Sequence, residues 1–265
     1  MAPVGVLDRT TRESVMKILV LTGAGISAES GLGTFRDKGG LWSRFDPMKL
    51  ATPEAFAKHP EQVHAFYNLR RRHVLDAQPN PAHFALARLD VAMAERGDEL
   101  TLVTQNIDDL HERAGTSRVT HMHGELLKAR CAHCEGVHPW RRDLVVSDPC
   151  PGCGQWGRMR PHVVWFGEIP LEMDAIQGSL RSADLFVAIG TSGTVYPAAG
   201  FVAQAGALGI ATCEINLEPS DNAELFDERR YGGASEVVPA WVEEVSAGRD
   251  RRLFFQNLKK SALSP

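Results

Sequence analysis

The chain has 265 residues, of which 43% are hydrophobic, and a formal net charge of −4; that is enough for one large domain, or for one domain carrying a smaller insert. The acidic balance, with no long lysine or arginine run ahead of the C-terminus, argues against a surface built to neutralise the phosphates of a nucleic-acid duplex. No stretch reaches the roughly eighteen continuous apolar residues of a membrane span and residues 1–12 lack the apolar core of a signal peptide, so a cytoplasmic protein with neither nucleic acid nor membrane as partner is expected.

The first apolar run, Lys17–Thr22, stops at Gly23-Ala24-Gly25-Ile26-Ser27-Ala28-Glu29-Ser30-Gly31. A β-rich run ending in clustered glycines is the sequence form of a strand feeding a tight turn, where missing side chains let backbone N–H groups approach a pyrophosphate. The spacing departs from the dinucleotide fingerprint Gly-x-Gly-x-x-Gly, whose third glycine would fall on Ala28; the next glycine is Gly31. A turn that merely needs small residues satisfies the same pattern. Residues 34–78 leave the strand–helix alternation for a Gly-rich loop and then helices, with Thr52 as N-cap ahead of Pro53 at the first helical position. Further strands are expected at 100–104, 119–122, 185–189 and 211–216, with helical patterns at 82–96, 197–208 and 235–245. These runs are apolar on both faces, the mark of a parallel sheet. Residues 124–165 form a second excursion, and the two excursions together would make a smaller lobe across a cleft from an α/β core. The tail 249–265 mixes Arg251, Arg252, Lys259 and Lys260 with Leu253, Phe254, Phe255 and Leu258. A terminal helix docked on its own domain fits that composition, as does a segment binding a membrane surface or a partner.

Polar clusters stand at the ends of the expected strands. In Thr104-Gln105-Asn106-Ile107-Asp108-Asp109, Asn106 and Asp108 could bind a carboxamide, and Asp108 could equally cap a helix over 109–114. In His121-Met122-His123-Gly124-Glu125, the two histidines would face the same way on an extended segment; a metal pair, a general base and a solvated histidine all remain open. Gly190-Thr191-Ser192-Gly193 and Asn216-Leu217-Glu218 offer small polar groups and a carboxylate suited to a ribose and an adenine. Cys131-x-x-Cys134 and Cys150-x-x-Cys153 have zinc-ribbon spacing, and four thiolates close the shell, so the metal would be structural. A redox dithiol and coincidence are the competing readings. His133 and His138 are expected to be surface histidines, and Cys213 a small core residue.

Taken together, these motifs, with Gly33-Thr34-Phe35-Arg36-Asp37 and Val164-Trp165-Phe166-Gly167-Glu168, resemble the sirtuins, NAD-dependent protein lysine deacylases, from about residue 18 to 245. The resemblance implies an α/β fold: a single catalytic domain with a Rossmann-like large part (about 12–33, 79–123 and 166–248), a helical module (34–78), a zinc module (124–165) and a tail (249–265). It implies one structural zinc, and acyl-lysine side chains of proteins meeting NAD in the cleft. His123 would be the general base. The NAD contacts would be Gly23, Ala24, Gly25, Ile26, Ser27, Glu29, Thr34, Phe35, Arg36, Trp42, Gln105, Asn106, Ile107, Asp108, Gly190, Thr191, Ser192, Asn216, Leu217, Glu218 and Ala234. Val164, Phe166, Gly167 and Glu168 would meet the substrate. Ala51, Tyr67 and Arg70 match the bacterial class III pattern, in which Tyr and Arg receive the carboxylate of a succinyl or malonyl chain and the small residue leaves room. Without the resemblance, Arg70-Arg71-Arg72 reads as a solvated basic face. The implied chemistry consumes NAD: the acyl oxygen attacks C1′ of the nicotinamide ribose, nicotinamide leaves, and the 2′-hydroxyl then takes the acyl group, giving free lysine and O-acyl-ADP-ribose. The rival readings are a zinc-ribbon binding module, an NAD oxidoreductase and an ADP-ribosyltransferase.

Overall fold

The run Lys17–Thr22 forms strand β1, and because Ile18 and Val20 face one layer while Leu19 and Leu21 face the other, all four are buried. A strand covered on both faces needs no polar alternation, which is why the sequence shows a continuous apolar run. The computed structural model describes residues 15–33 and 49–247. Within it β1 pairs in parallel with β2 (Glu99–Thr104) and with β7 (Leu185–Ile189). Adding β3 (Val119–His121), β8 (Ala211–Asn216) and β9 (Glu228–Tyr231) gives a six-stranded parallel sheet in the order β3-β2-β1-β7-β8-β9. The order reverses beside β1, and in such sheets a crevice opens at the carboxyl ends of the two strands flanking that point.

One face of the sheet packs on α4 (Pro81–Glu95) and α8 (Ala234–Ala247) through Leu86, Leu89 and Trp241. The other packs on α6 (Met173–Ser182) and α7 (Phe201–Ala207) through Ile176, Leu180 and Phe201. Two short helices, α1 (Ala24–Ser27) and α5 (Leu110–Arg113), follow β1 and β2. The smaller lobe has an antiparallel sheet of β4 (Gly124–Cys131), β5 (Val137–Pro139) and β6 (Met159–Val163), and a helical pair, α2 (Pro53–Lys58) and α3 (Pro60–Asp76). Thr52 caps α2 as expected, its Oγ1 accepting from Ala55 N at 3.1 Å.

Several boundaries differ from the sequence expectation, each for a local reason. The helix expected at 82–96 starts at Pro81, because Asn80 Oδ1 accepts from Ala82 N (3.0 Å) while Asn80 N donates back to His83 Nδ1 (3.2 Å). That is a capping box with histidine in the place of the usual Glu or Gln. The pattern at 197–208 divides into a 3₁₀ turn, Ala198–Gly200, and α7. Strand β3 ends at His121, one residue short. The helix expected over 109–114 is α5, and Asp108 Oδ1 does accept from Leu110 N at 3.1 Å. Strand β9, Glu-Arg-Arg-Tyr, is a charged edge strand that apolar periodicity cannot reveal. The expectations for the N-terminus and for the tail 249–265 lie outside the described residues, as do Thr34, Phe35, Arg36 and Trp42. Among the described residues no helix is long and apolar enough to cross a membrane.

Candidate active site and metal centre

Two loops interlock where β1 and β7 end. Gly23 N donates to Ile189 O and Gly25 N to Gly190 O, both at 2.9 Å. A Cβ on Gly25 would stand 2.7 Å from Gly190 Cα, and one on Gly190 2.5 Å from Ile26 N; Gly190 also holds φ +64°. These glycines are needed for backbone-on-backbone contact. The third glycine of the dinucleotide fingerprint serves close helix–strand packing, and here α1 is four residues long with no such helix to seat, so Ala28 is accommodated.

A cleft of about 990 Å³ opens at this point between the sheet and the smaller lobe. Its walls bring together Gly23, Ala24, Gly25, Ser27, Glu29, Gln105, Asn106, Ile107, Asp108, His123, Gly190, Thr191, Ser192, Asn216, Leu217, Glu218 and Ala234 with Ala51, Tyr67, Arg70, Val164, Phe166, Gly167 and Glu168. Ile26 is the exception among the described residues: its side chain is fully buried in the sheet core, not turned to the cleft. Thr194, Tyr196 and Pro170, in loops with no distinguishing pattern, also line the cleft, as does His73 on α3, which no motif singles out. Glu29 meets α8 as well, its Oε2 accepting from Ser235 N at 2.7 Å.

The loop after β2 is fixed by buried polar contacts. Asn106 Nδ2 donates to Gly23 O and to Ser27 Oγ, each at 3.1 Å, and Ser27 Oγ donates to Asp108 Oδ2 at 3.2 Å. Burial pushes the Asp108 carboxyl up to about 6, against the hydrogen bonds from Leu110 N and Ser27 that favour its charged form. Behind this loop lies a layer that local motifs could not show: His83 Nε2 is 3.4 Å from Ser27 Oγ, and His111 Nε2 is 3.0 Å from Thr22 Oγ1. Because His83 Nδ1 accepts from Asn80 N, Nε2 carries the proton and donates to Ser27. Burial pulls His83 down to about 4 and His111 well below the ordinary range.

His123 Nδ1 lies 3.1 Å from Gln105 O. A carbonyl only accepts, so Nδ1 holds the proton and Nε2 keeps its lone pair. Burial lowers the pKa of His123, leaving the ring neutral at pH 7. His121 does not join it in a metal pair. The strand ends at His121 and Gly124 turns with φ +79°, so the extended i, i+2 relation is lost. His121 Nε2 instead meets Glu112 Oε1 at 2.5 Å, and its Nδ1 lies 3.4 Å from Asn106 O.

On the smaller-lobe side, Tyr67 is buried with its hydroxyl oxygen accepting from Trp165 Nε1 at 2.9 Å. The half-buried Arg70 places its guanidinium carbon 5.9 Å from the Tyr67 ring centre and 5.8 Å from that of Phe66. Desolvation lowers the Arg70 pKa, opposed by Tyr67 and Asp108. Phe166 N donates to Ala51 O and Val164 N to His123 O, both at 2.9 Å, so residues 164–166 bridge the smaller-lobe wall to the histidine. Glu168 lines the cleft, but its carboxylate is engaged by Arg160 at 2.6 and 2.9 Å and by Trp165 N at 2.8 Å. Of Arg70-Arg71-Arg72 only Arg72 is solvated as a basic face would be: Arg70 is half-buried and Arg71 is 1% exposed, with Nε donating to Leu126 O at 3.1 Å.

The four cysteines converge. Cys131 and Cys153 sulfurs are 3.8 Å apart and those of Cys134 and Cys150 3.7 Å, with all four within 4.8 Å of one another. Four thiolates about 2.3 Å from one zinc in a tetrahedron would be separated by about 3.8 Å, so the set fits a single structural zinc, and all four cysteines are free. Backbone N–H groups of His133 and Gly152 donate to Cys131 and Cys150 sulfurs at 3.4 Å, which favours the thiolate form. His138 departs from the surface role expected of it: its half-buried ring lies against Gly136 and Gly152, with Nε2 3.7 Å from Cys150 Sγ. His133 is exposed as expected, and Cys213 is a core residue of the large sheet.

Comparison with known proteins agrees with this geometry. The Sir2 family matches residues 23–197, more than half of the chain. This chain belongs to the Sir2 family. The NAD-dependent protein deacylase of Caulobacter vibrioides is 62% identical over 233 residues, covering 88% of this chain and 98% of that protein. The NAD-dependent protein deacylase of Escherichia coli K12 is 54% identical over 245 residues, covering 91% and 87%. A solved complex of a Sir2 homologue with NAD superposes with a TM-score of 0.78 at 41% identity, covering 86% of this chain and 89% of that one. A Sir2 homologue with 2′-O-acetyl ADP-ribose gives 0.80 at 39%, covering 89% and 94%. The parallel sheet, its switch-point cleft and the ribbon are thus the Sir2 fold.

Proposed function

We propose that this Sir2-family chain is an NAD-dependent protein-lysine deacylase that removes acetyl groups and, through Tyr67 and Arg70, acidic acyl groups such as succinyl and malonyl. The observation that carries the reading is the single cleft in which His123, neutral and held through Nδ1 by Gln105 O, faces the same space as the glycine loops and the Tyr67–Arg70 pair. NAD is a substrate that is consumed. Gly23 to Gly25, Gly190 to Ser192 and Asn216 to Glu218 lie where an open α/β sheet seats a dinucleotide. Asn106 and Asp108 flank the position for the nicotinamide end. Departure of nicotinamide builds positive charge at C1′, and a dry wall aimed at that atom stabilises it. The acyl oxygen bonds to C1′; His123 Nε2 then takes the 2′-hydroxyl proton as that oxygen attacks the acyl carbon, and water completes release of lysine and O-acyl-ADP-ribose. Zinc would be held by Cys131, Cys134, Cys150 and Cys153 and supplies structure, with no open position for chemistry.

The domain division follows the same reading: a Rossmann-like part, a helical module and a zinc module, with the tail outside the catalytic core. Four reduced thiolates suit a reducing compartment such as the cytoplasm. The net charge of −4 supports proteins, not nucleic acid, as partners.

Product analysis by mass with NAD and acetyl- or succinyl-lysine peptides tests the reading. Nicotinamide and O-acyl-ADP-ribose are the expected products; reduced cofactor, or ADP-ribose left on protein, would replace it with one of the rivals. For the acyl assignment, Arg70→Met should cost desuccinylation about tenfold or more in kcat/KM, mainly through KM, and deacetylation much less. An equal loss in both withdraws the acidic-acyl role.

A further inference from the structure

Helix α3 carries the acyl-side pair Tyr67 and Arg70 on the cleft face, and at about 100° per residue Asn68 and Arg71 fall on the adjoining face. That second face is latched to the zinc module by side chains. Asn68 grips one residue of it at both main-chain groups: Nδ2 donates to Leu144 O at 2.9 Å, and Leu144 N donates to Oδ1 at 2.8 Å. Arg71 Nη1 donates to the same Oδ1 at 2.6 Å while its Nε donates to Leu126 O on β4 at 3.1 Å. Leu144 is itself fully buried in the ribbon core with Cys131, Trp140, Cys150 and Met159.

Burial lowers the Arg71 pKa to about 10, and its Nη2 has no hydrogen-bond partner among the described residues. A hydrophobic side chain of similar volume would pack there at lower cost. What a buried guanidinium adds is a directional contact, and directional contacts on one face of a helix set its rotation about its own axis. A rotation of about 10° would carry the tip of a long side chain on the neighbouring face by about 1 Å, enough to spoil a two-point grip on a carboxylate.

We infer that Asn68 and Arg71 are positioning residues for acyl selectivity: by latching α3 to Leu126 and Leu144, they let the zinc ribbon set where Arg70 meets an acidic acyl chain. Neither residue lines the cleft. The inference rests on the acidic-acyl reading above, and the experiment separates the two.

Asn68→Ala, Asn68→Asp and Arg71→Met are compared with the parent enzyme for KM and kcat on acetyl- and succinyl-lysine peptides, with zinc content and melting temperature measured alongside. Asn68→Asp keeps the acceptor for Leu144 N and Arg71 but sets a carboxylate oxygen, with its charge, against Leu144 O in place of the donor, so it reads the latch if the alanine variant does not fold. Arg71→Met removes the directional contacts while keeping the site filled, so it should retain its zinc and its melting temperature. The expected result is a rise in KM for the succinyl peptide of about tenfold in Asn68→Ala and Arg71→Met, and about threefold in Asn68→Asp. KM for NAD and deacetylation should stay within twofold. If Arg70→Met separates the two acyl groups while folded Asn68 and Arg71 variants lower both equally, or neither, the latch has no role in selectivity and the inference falls. If Arg70→Met itself fails to separate them, the acidic-acyl reading falls first.

Discussion

The two walls of the cleft are held together by different physics. On the sheet side the main structure is backbone: parallel strands buried on both faces, and glycine loops from β1 and β7 in contact closer than any Cβ would allow. Twenty buried residues make up one of its two cores. The smaller lobe on the other side has, among the described residues, a core of twelve at its cleft wall and a separate core of six in the ribbon, two of them cysteines of the metal set, and side-chain latches join the ribbon to α3. A core as small as the ribbon's supplies too little burial to fold without a staple. The sheet side should therefore resist loss of a single side chain and fail when a backbone contact is obstructed, whereas the ribbon side should fail when one ligand is removed.

Cys150→Ser breaks the comparison at its most vulnerable point. Structural zinc contributes about 10–16 kcal/mol in small zinc domains, so this variant should lose bound zinc and the folded ribbon while the large sheet persists. Zinc analysis with hydrogen exchange resolved by segment checks it, and a zinc-free variant with a protected ribbon would show that the thiolates are dispensable. On the sheet side, Gly190→Ala adds a Cβ 2.5 Å from Ile26 N at a left-handed φ, and should cost about 2–5 kcal/mol in denaturant melts together with NAD binding. Gly31→Ala is the control, also left-handed at φ +84° but with none of the described residues within 4 Å of the new atom, so about 1–2 kcal/mol is expected. Equal costs at the two positions would remove the case for interlocked loops.

His123→Ala tests the chemistry without the scaffold. Turnover should fall by roughly two to four orders of magnitude with the fold and most NAD affinity retained; near-normal deacylation would move the base elsewhere. Because burial lowers the pKa of His123, the acidic limb of its protonation lies below 6.5, and Asp108 near 6 adds to it.

A separate effect is one of pH, and it belongs to the buried histidines of both walls. His64, on α3, and His83, on α4, have folded pKa values of about 4, and that of His111 is lower still. Between pH 6.5 and 4 the unfolded chain binds these protons and the folded one does not, so stability is complete above 6.5 and falls with acidification. Asp108, whose folded pKa is raised to about 6, acts in the opposite sense and offsets part of the loss, whereas the raised pKa of His121 adds its stability only as the pH falls toward 6.5. A net fall of several kcal/mol between pH 6.5 and 4 is expected from melts in denaturant. His64→Phe should make the slope shallower, because both ring nitrogens of His64 lack partners among the described residues and the ring already packs edge-on against Phe56 at 5.3 Å. An unchanged slope would assign the acid sensitivity to other groups.

What the sequence by itself determined is local in origin. Strands buried on both faces write themselves as apolar runs, knuckles as Cys-x-x-Cys, and the Thr52-Pro53 start of α2 as a cap. The order of motifs along the chain was enough to name the family. Tertiary structure decided what depends on residues far apart in the chain. Only the pairing of β1 with β7 explains why Gly25 and Gly190 must lack side chains, since 165 positions separate them. Only the fold turns His121 away toward Glu112 and leaves His123 on Gln105. The same holds for His83 and His111 behind the loop after β2, for His138 at the thiolates, and for Arg71, whose neighbours in sequence suggest solvent and whose neighbours in space are Leu126 and Asn68. Periodicity reports which face of an element is apolar. It carries no information about which distant backbone group will meet a buried polar side chain, because that pairing is selected by the packing of whole elements and not by the residues beside it.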